Sequence, residues 1–400
     1  MVSMKQLTVK LWAVLFFALS LSIKATSQDA NTINVVTSAV PFLRISPDAR
    51  AGGMGDVGIA TAPDANASFW NLAKAPFAVS RTSISATYTP WLKDLGLNDV
   101  YLASLAGYHQ LDELQAVSAS IRYFSLGNIQ FTDFAGNDLA QFRPREYSID
   151  FGYSRKVSEN LSAGVALRYI NSNLASGTYN GVTYKSGTAV AADFSLFHNG
   201  INAEGQGLNW GITLNNLGTK ISYTSDAQQK DYIPANLGLG VANTWVFDET
   251  SKFTLGLDIN KLMVPTPPSL TDDTTGNPSV LSDYRNKSVI SSWVSSFGDA
   301  GSFSNEMKEY QISLGGEYTY NDQFTLRAGY FYEDKLKGNR KYFTVGAGLK
   351  YNVFGLNFSY LVPSGNGVSR NPLSNTLRFS LVFDLDNNTN GSGGTTTGAQ

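Results

Sequence analysis

Thr376-Leu377-Arg378-Phe379-Ser380-Leu381-Val382-Phe383 alternates residue by residue, with Leu377, Phe379, Leu381 and Phe383 in one set and Thr376, Arg378, Ser380 and Val382 in the other. Successive side chains of an extended strand face opposite sides, so one set can meet lipid and the other a polar interior. Leu161, Ala163, Val165, Leu167 and Tyr169 alternate in the same way with Ser162, Gly164, Ala166, Arg168 and Ile170. Val117, Ala119, Ile121 and Tyr123 do so against Ser118, Ser120 and Arg122, and Phe343, Val345, Ala347 and Leu349 against Thr344, Gly346, Gly348 and Lys350. A helix, with its period of 3.6, cannot segregate these sets. Short amphipathic segments joined by alternately tight and long connectors are the sequence form of a transmembrane antiparallel β-barrel.

The composition fits this reading. The chain has 400 residues, 42% of them hydrophobic, and a mean hydropathy of -0.13. These values also suit a soluble all-β sandwich, but a barrel reconciles them because half of each strand is polar. Aromatic residues reach 12%, with 20 Tyr and 23 Phe, as the girdles at the membrane interfaces require. Lys5 and Lys10, an apolar run from Leu11 to Ile23 and the small-residue site Ala25-Thr26-Ser27 predict a signal peptide over 1–27 and a mature chain from Gln28. The run is too short to span a bilayer as a helix, and no other stretch reaches the roughly twenty apolar residues needed. Export plus amphipathic strands points to a Gram-negative outer membrane.

There is no Cys, which excludes disulfides, thiolate metal sites and a lipoprotein anchor. Loss of Lys5, Lys10 and Lys24, and of no acid, takes the formal charge from -2 to -5. No basic stripe offers a surface for nucleic acid. The polar residues 387–400 cannot bury enough apolar surface to fold and are expected to form a disordered tail.

Fourteen strands are predicted near 80–89, 98–109, 114–125, 143–156, 160–172, 186–198, 207–217, 235–247, 251–261, 308–320, 323–333, 341–351, 353–362 and 374–384, giving a barrel over 80–386. Tight connectors at 110–113, 157–159, 248–250, 321–322 and 352 carry turn residues such as Asn-Asp and Asp-Glu. Long ones fall at 126–142, 173–185, 218–234 and 262–307. Outer-membrane barrels keep tight turns in the periplasm and long loops outside, so this alternation sets the orientation. The segment 199–206 is long for a periplasmic turn, and a further strand pair there or in 262–307 would change the count. A lumen of this width needs filling. Residues 28–79, which lack the strand alternation, are expected to be a plug.

Gly53-Met54-Gly55-Asp56-Val57-Gly58 matches the G-x-G-x-x-G string, but Pro47, Asp48 and Arg50 precede it where a dinucleotide site needs an apolar strand. No cofactor is expected. His109 and His198 lie near the predicted periplasmic rim without metal-ligand spacing, so no metal or catalytic site is expected. Arg122, Arg168, Arg327 and Arg378 occupy polar registers, and a charge facing lipid at mid-membrane would cost about 2–4 kcal/mol. All four are therefore expected to face the lumen and to pair with Asp48, Asp56 or Asp64, or with strand acids such as Asp150 and Asp258, so holding the plug, whose Arg50 is a further charge contact with the wall. The 262–307 loop carries Tyr284, Trp293, Phe297 and Phe303, aromatics suited either to partner binding or to capping the barrel.

Ala39-Val40-Pro41-Phe42-Leu43, Pro47-Asp48-Ala49-Arg50-Ala51-Gly52-Gly53-Met54-Gly55-Asp56, Trp70-Asn71 and the terminal Leu377-Arg378-Phe379-Ser380-Leu381 together resemble the PorV family of the Bacteroidota type IX secretion system, within the FadL-like barrels. One element differs, since the Asn-Pro-Ala of FadL-like plugs reads Asn71-Leu72-Ala73 here. The resemblance implies a fourteen-stranded barrel in the outer membrane, in contact with its lipid, that is not an enzyme. Its implied partners are the translocon barrel, the C-terminal domains of secreted cargo, and the sortase and attachment complex that receives the cargo. Two other functions stay open: a FadL-like passive channel for hydrophobic compounds, and a protein linked to lipopolysaccharide deacylation.

Overall fold

The computed structural model describes residues 35–93, 96–132, 135–179, 182–224, 230–268, 278–362 and 375–387. The expected signal peptide, and the expected tail beyond Asn387, lie outside the described residues. Fourteen antiparallel strands form one closed barrel. They are β1 Ser80–Pro90, β2 Val100–Gln110, β3 Gln115–Leu126, β4 Arg145–Lys156, β5 Leu161–Asn173, β6 Gly187–His198 and β7 Gly207–Gly218. The second half comprises β8 Asn236–Val246, β9 Ser251–Leu262, β10 Tyr310–Tyr320, β11 Phe324–Tyr332, β12 Lys341–Tyr351, β13 Phe354–Val362 and β14 Leu377–Asn387. Each strand pairs with its neighbour in sequence, and β1 closes on β14 from Ser80↔Asn387 to Tyr88↔Phe379.

Alternation becomes sidedness. In β5, Val165, Leu167 and Tyr169 face outward and exposed, while Ser162, Ala166, Arg168 and Ile170 are buried inward. In β1 the buried set is Ser83, Ser85, Thr87 and Thr89. No helix among the described residues is long and apolar enough to cross a membrane; the crossing elements are strands.

The expected strand 374–384 is displaced, and β14 runs to Asn387. Asp384 does not end it, because its carboxylate accepts from Ser83 Oγ at 2.6 Å and pairs with Lys350 Nζ at 2.6 Å. The segment 199–206 adds no strand pair; it is a turn closed by Asn202 N to Gln206 O at 2.9 Å and Gly205 N to Asn202 O at 3.0 Å. Asn321 and Asp322 both take φ 52° in the three-residue turn, 321–323, that joins β10 to β11 and is closed by Gln323 N to Tyr320 O at 3.1 Å. Small hairpins stand in two outer loops, Ile129–Thr132 with Asp138–Phe142 and Gly177–Tyr179 with Val182–Tyr184. The 263–309 loop folds into three short helices, α3 Pro278–Asn286, α4 Val289–Ser295 and α5 Phe303–Met307. Their formation explains the loop's length without further strands among the described residues.

The plug enters from the outer mouth through a 3-10 turn, Pro41–Arg44, and then a short helix, α1 Ala49–Gly53. A second short helix, α2 Ala67–Trp70, and a 3-10 turn, Leu72–Phe77, lead into β1. Asp48 caps the Ala49–Gly53 helix by accepting from Ala51 N at 2.8 Å.

Candidate functional site

The plug follows the inner wall, and inward-facing glycines on successive strands make room for it. A methyl group on Gly346 of β12 would stand 3.1 Å from Gly53 Cα, and one on Gly329 of β11 would stand 2.1 Å from Gly55 N. Gly315 of β10 abuts Met54, Gly256 of β9 abuts Val57, and Gly240 of β8 abuts Ile59. Gly211 of β7, Gly164 of β5 and Gly152 of β4 receive Asn71, Ala73 and Leu72 in the same way. Gly55 itself has φ +69° and would drive a Cβ to 2.6 Å from Tyr330 N, so its place tolerates no side chain. The G-x-G-x-x-G string thus serves close approach of plug to wall.

Charges clamp the two bodies. Arg50 grips Glu317 of β10 with two bonds, at 3.0 and 2.8 Å, and also reaches Asp64 at 2.9 Å. Glu317 simultaneously accepts from Arg327 Nε at 2.7 Å, so one carboxylate bridges a plug guanidinium and a wall guanidinium. Arg122 donates to Leu43 O at 3.2 Å and lies 5.0 Å from the centre of the Phe69 ring. Arg378 sits against Gly52 and 4.0 Å from Asp56, whose other oxygen accepts from Tyr342 OH at 2.6 Å. Arg168 pairs with the expected strand acid Asp150 and takes two further partners on the wall. It binds the wall residues Asp150, Asp193 and Asn216 and not the plug. Asp48 pairs with no wall arginine; it accepts from Trp70 Nε1 at 2.7 Å. Asp258 holds the plug through its backbone, accepting from Gly58 N at 2.7 Å and Ile59 N at 2.9 Å.

Lys74 is fully buried and donates to Gly58 O at 2.6 Å; burial chiefly pushes its ammonium down to about 8. Asn71 Nδ2 donates to Ile59 O at 3.2 Å and to Leu196 O at 2.9 Å, tying plug to β6. The void beside the plug near Arg44, Asp56, Arg168 and Tyr342 is only about 60 Å³. At that level the lumen is packed.

A larger pocket of about 630 Å³ lies above it at the outer mouth, walled by Val40, Phe124, Leu126, Leu174, Tyr232 and Tyr284. Tyr284 is therefore a half-buried wall residue, its ring 5.7 Å from that of Tyr232. Lys220 fixes α3 over this mouth by donating to Arg285 O at 2.6 Å and Lys287 O at 2.7 Å. Trp293 is half-buried, and Phe297 lies 5.6 Å from the Lys261 ammonium. Phe303 is 73% exposed. Ile290 is 70% exposed, Val294 74% and Met307 51%, apolar residues of the same loop that are not aromatic. Their signal was spacing: Ile290 with Val294 and Phe303 with Met307 are i, i+4 pairs, each on one face of a short helix.

Asp299, Glu306 and Glu309 of this loop bring carboxylate oxygens within 4.8 Å of one another. Lys261 reaches Glu306 at 2.7 Å and Glu309 at 2.6 Å, and Lys337 reaches Glu309 at 2.8 Å, so ammonium groups already compensate the cluster. It latches the loop to β9. His109 Nδ1 bonds Thr82 Oγ1 at 2.8 Å, and His198 stacks on Trp210 with centroids 5.4 Å apart.

Among solved structures the chain is similar to the Ralstonia pickettii toluene transporter TbuX, at 12% identity and TM-score 0.48, over 85% of this chain and 97% of that one. It is similar to the Pseudomonas putida toluene transporter TodX at 13% identity and TM-score 0.48, over 88% and 98%. A Pseudomonas aeruginosa FadL homologue matches at 12% identity and TM-score 0.45, over 85% and 98%. No curated protein matches the chain. The family described as type IX secretion system protein PorV matches residues 27–269, more than half of the sequence. With its closed barrel, internal plug and long outer loops, the chain belongs to the PorV family, outer-membrane barrel proteins of the type IX secretion system.

Proposed function

We propose that this barrel is a carrier of secreted proteins, which grips the C-terminal domain of the cargo with its outer loops and passes it from the translocon barrel to the sortase and attachment complex. The observation that carries this reading is two exposed apolar pairs on the longest outer loop, Ile290 with Val294 and Phe303 with Met307. Apolar side chains held in water on a loop latched by buried ion pairs suit a protein partner. The packed plug supports a role in which cargo travels outside the lumen, and the reading needs no catalytic group. Val294→Asp combined with Phe303→Asp should lower capture of a tagged cargo C-terminal domain at least tenfold while leaving heat-modifiable gel mobility unchanged. Unaltered capture by that folded variant rejects the loop as the gripping surface.

The apolar pocket at the mouth favours a second reading, a passive channel for hydrophobic compounds. Uptake of a labelled hydrophobe by vesicles holding the protein separates the two, because a carrier predicts none. A link to lipopolysaccharide deacylation would need His109 or His198 as a base, and unchanged lipid A acylation after replacing both would remove it.

A further inference from the structure

Arg44, at the outer end of the plug, differs from the other guanidiniums of the lumen. Its one hydrogen bond runs from Nη2 to Gln311 Oε1 of β10 at 3.0 Å, and among the described residues no carboxylate comes within ion-pair distance of it. The acids nearby are already engaged. Glu333 accepts from Gln311 Nε2 at 2.8 Å and is gripped by Arg340 on both oxygens, each at 2.8 Å. Asp56 is shared between Tyr342 OH at 2.6 Å and Arg378 at 4.0 Å. Burial, and then the like charge of Arg340, push the Arg44 guanidinium down to about 10 against the weaker pull of Glu333 and Asp56. Arg340 is also fixed from one face, its guanidinium 5.4 Å from the centre of the Phe331 ring.

Arg44 and Arg340 both line the cavity of about 60 Å³ beside the plug. The other charges on that cavity are Asp56 and the mutually paired Arg168 and Asp193, 2.8 Å apart, so three cations face two anions. Adding Glu333 and Arg378 just outside it leaves the same surplus of one positive charge. The volume admits a few particles the size of water and no organic ligand. A neutral water leaves the repulsion between Arg44 and Arg340 in place, whereas an anion between them removes it.

We propose that this cavity binds a small inorganic monovalent anion of chloride size, held between the Arg44 guanidinium of the plug and the Arg340 guanidinium of the wall, and that the anion pins the outer end of the plug. The site is independent of what the outer loops hold. It gives the plug a third kind of fastening, beside the glycine-lined wall and the Arg50–Glu317 clamp.

Crystals of the full-length protein grown with bromide in place of chloride test the site directly. An anomalous peak between Arg44 and Arg340 is expected in the unaltered barrel and is expected to vanish in Arg44→Gln. In solution, a fluorophore on Ala62→Cys, in a chain with no other cysteine, reports plug release from barrels in vesicles. Exchange of chloride for gluconate at constant ionic strength removes an anion the cavity admits and supplies one it does not. Release should then rise about threefold, the scale set by ion pairs between half-exposed groups. Arg44→Gln should make release indifferent to the exchange, and Arg44→Lys should keep part of the response. Ordered water at the site without anomalous signal overturns the proposal. So does a peak with no effect of chloride on release, which marks an adventitious ion only, or an equal chloride effect in Arg44→Gln of normal heat-modifiable mobility. The bromide and exchange measurements on the unaltered plug stand even where a variant fails to assemble.

Discussion

Glu317 is the residue on which the clamp between plug and wall turns, because it answers Arg50 and Arg327 together. Removing the charge leaves Arg327 without its carboxylate and Arg50 with Asp64 alone, and breaking a buried pair on one side costs about 3–5 kcal/mol. Glu317→Gln should therefore loosen the plug and raise ion conductance across planar bilayers, whereas replacing all three residues with Met should restore much of the loss. Lys74 gives the plug a pH dependence. Its folded value of about 8 lies below the ordinary 10.5, so the undocked plug binds the proton more tightly than the docked one. Docking should strengthen as pH rises from about 8 to 10.5, by at most about 3 kcal/mol. The chain lacks cysteine, so a fluorophore on Ala62→Cys reports plug release cleanly. The slope of release against pH should vanish in Lys74→Met.

Elements meet in this protein through absent side chains. The plug lies where strands β12 to β7, then β5 and β4, offer glycine on their inward register, so its path is written in the wall as much as in the plug. Gly329→Val should push Gly55 and Met54 off the wall. Overpacking of this kind costs about 1–3 kcal/mol. A barrel that keeps heat-modifiable mobility yet conducts small ions is the expected phenotype, and a silent barrel would show that the belt is not needed. The outer loop is held by the opposite device, buried ion pairs from Lys261 and Lys337, which leave its apolar helix faces turned outward.

At the scale of the whole molecule, closure decides stability, since an open edge in hydrocarbon leaves backbone groups unsatisfied. The β1–β14 seam extends to Ser80↔Asn387. Truncation after Asn387 should leave assembly and gel mobility unchanged, whereas truncation after Ser380 removes most of the seam and should leave no heat-modifiable species. Closure also suits the proposed carrier, since a plugged cylinder would give the gripping loops a rigid mount at its outer rim.

Strand periodicity alone determined the barrel and the side faced by Arg122, Arg168, Arg327 and Arg378, because a period of two admits one sorting of lipid from lumen, whereas the count of fourteen closed only with 199–206 folded as a turn and helices in the 263–309 loop. Turn residues such as Asn321-Asp322 likewise revealed the tight end. Partner identity was not legible in this way: Glu317, Gly329 and Gly346 are ordinary inward residues until the plug's path brings Arg50, Gly55 and Gly53 against them. Ile290 and Val294 were hidden in a loop whose helices no barrel rule foretells, and Tyr284 turned from open surface into pocket wall. Local alternation is a property of neighbours along the chain, whereas contacts between plug, wall and loop join residues hundreds of positions apart, and only the closed tertiary structure sets those distances.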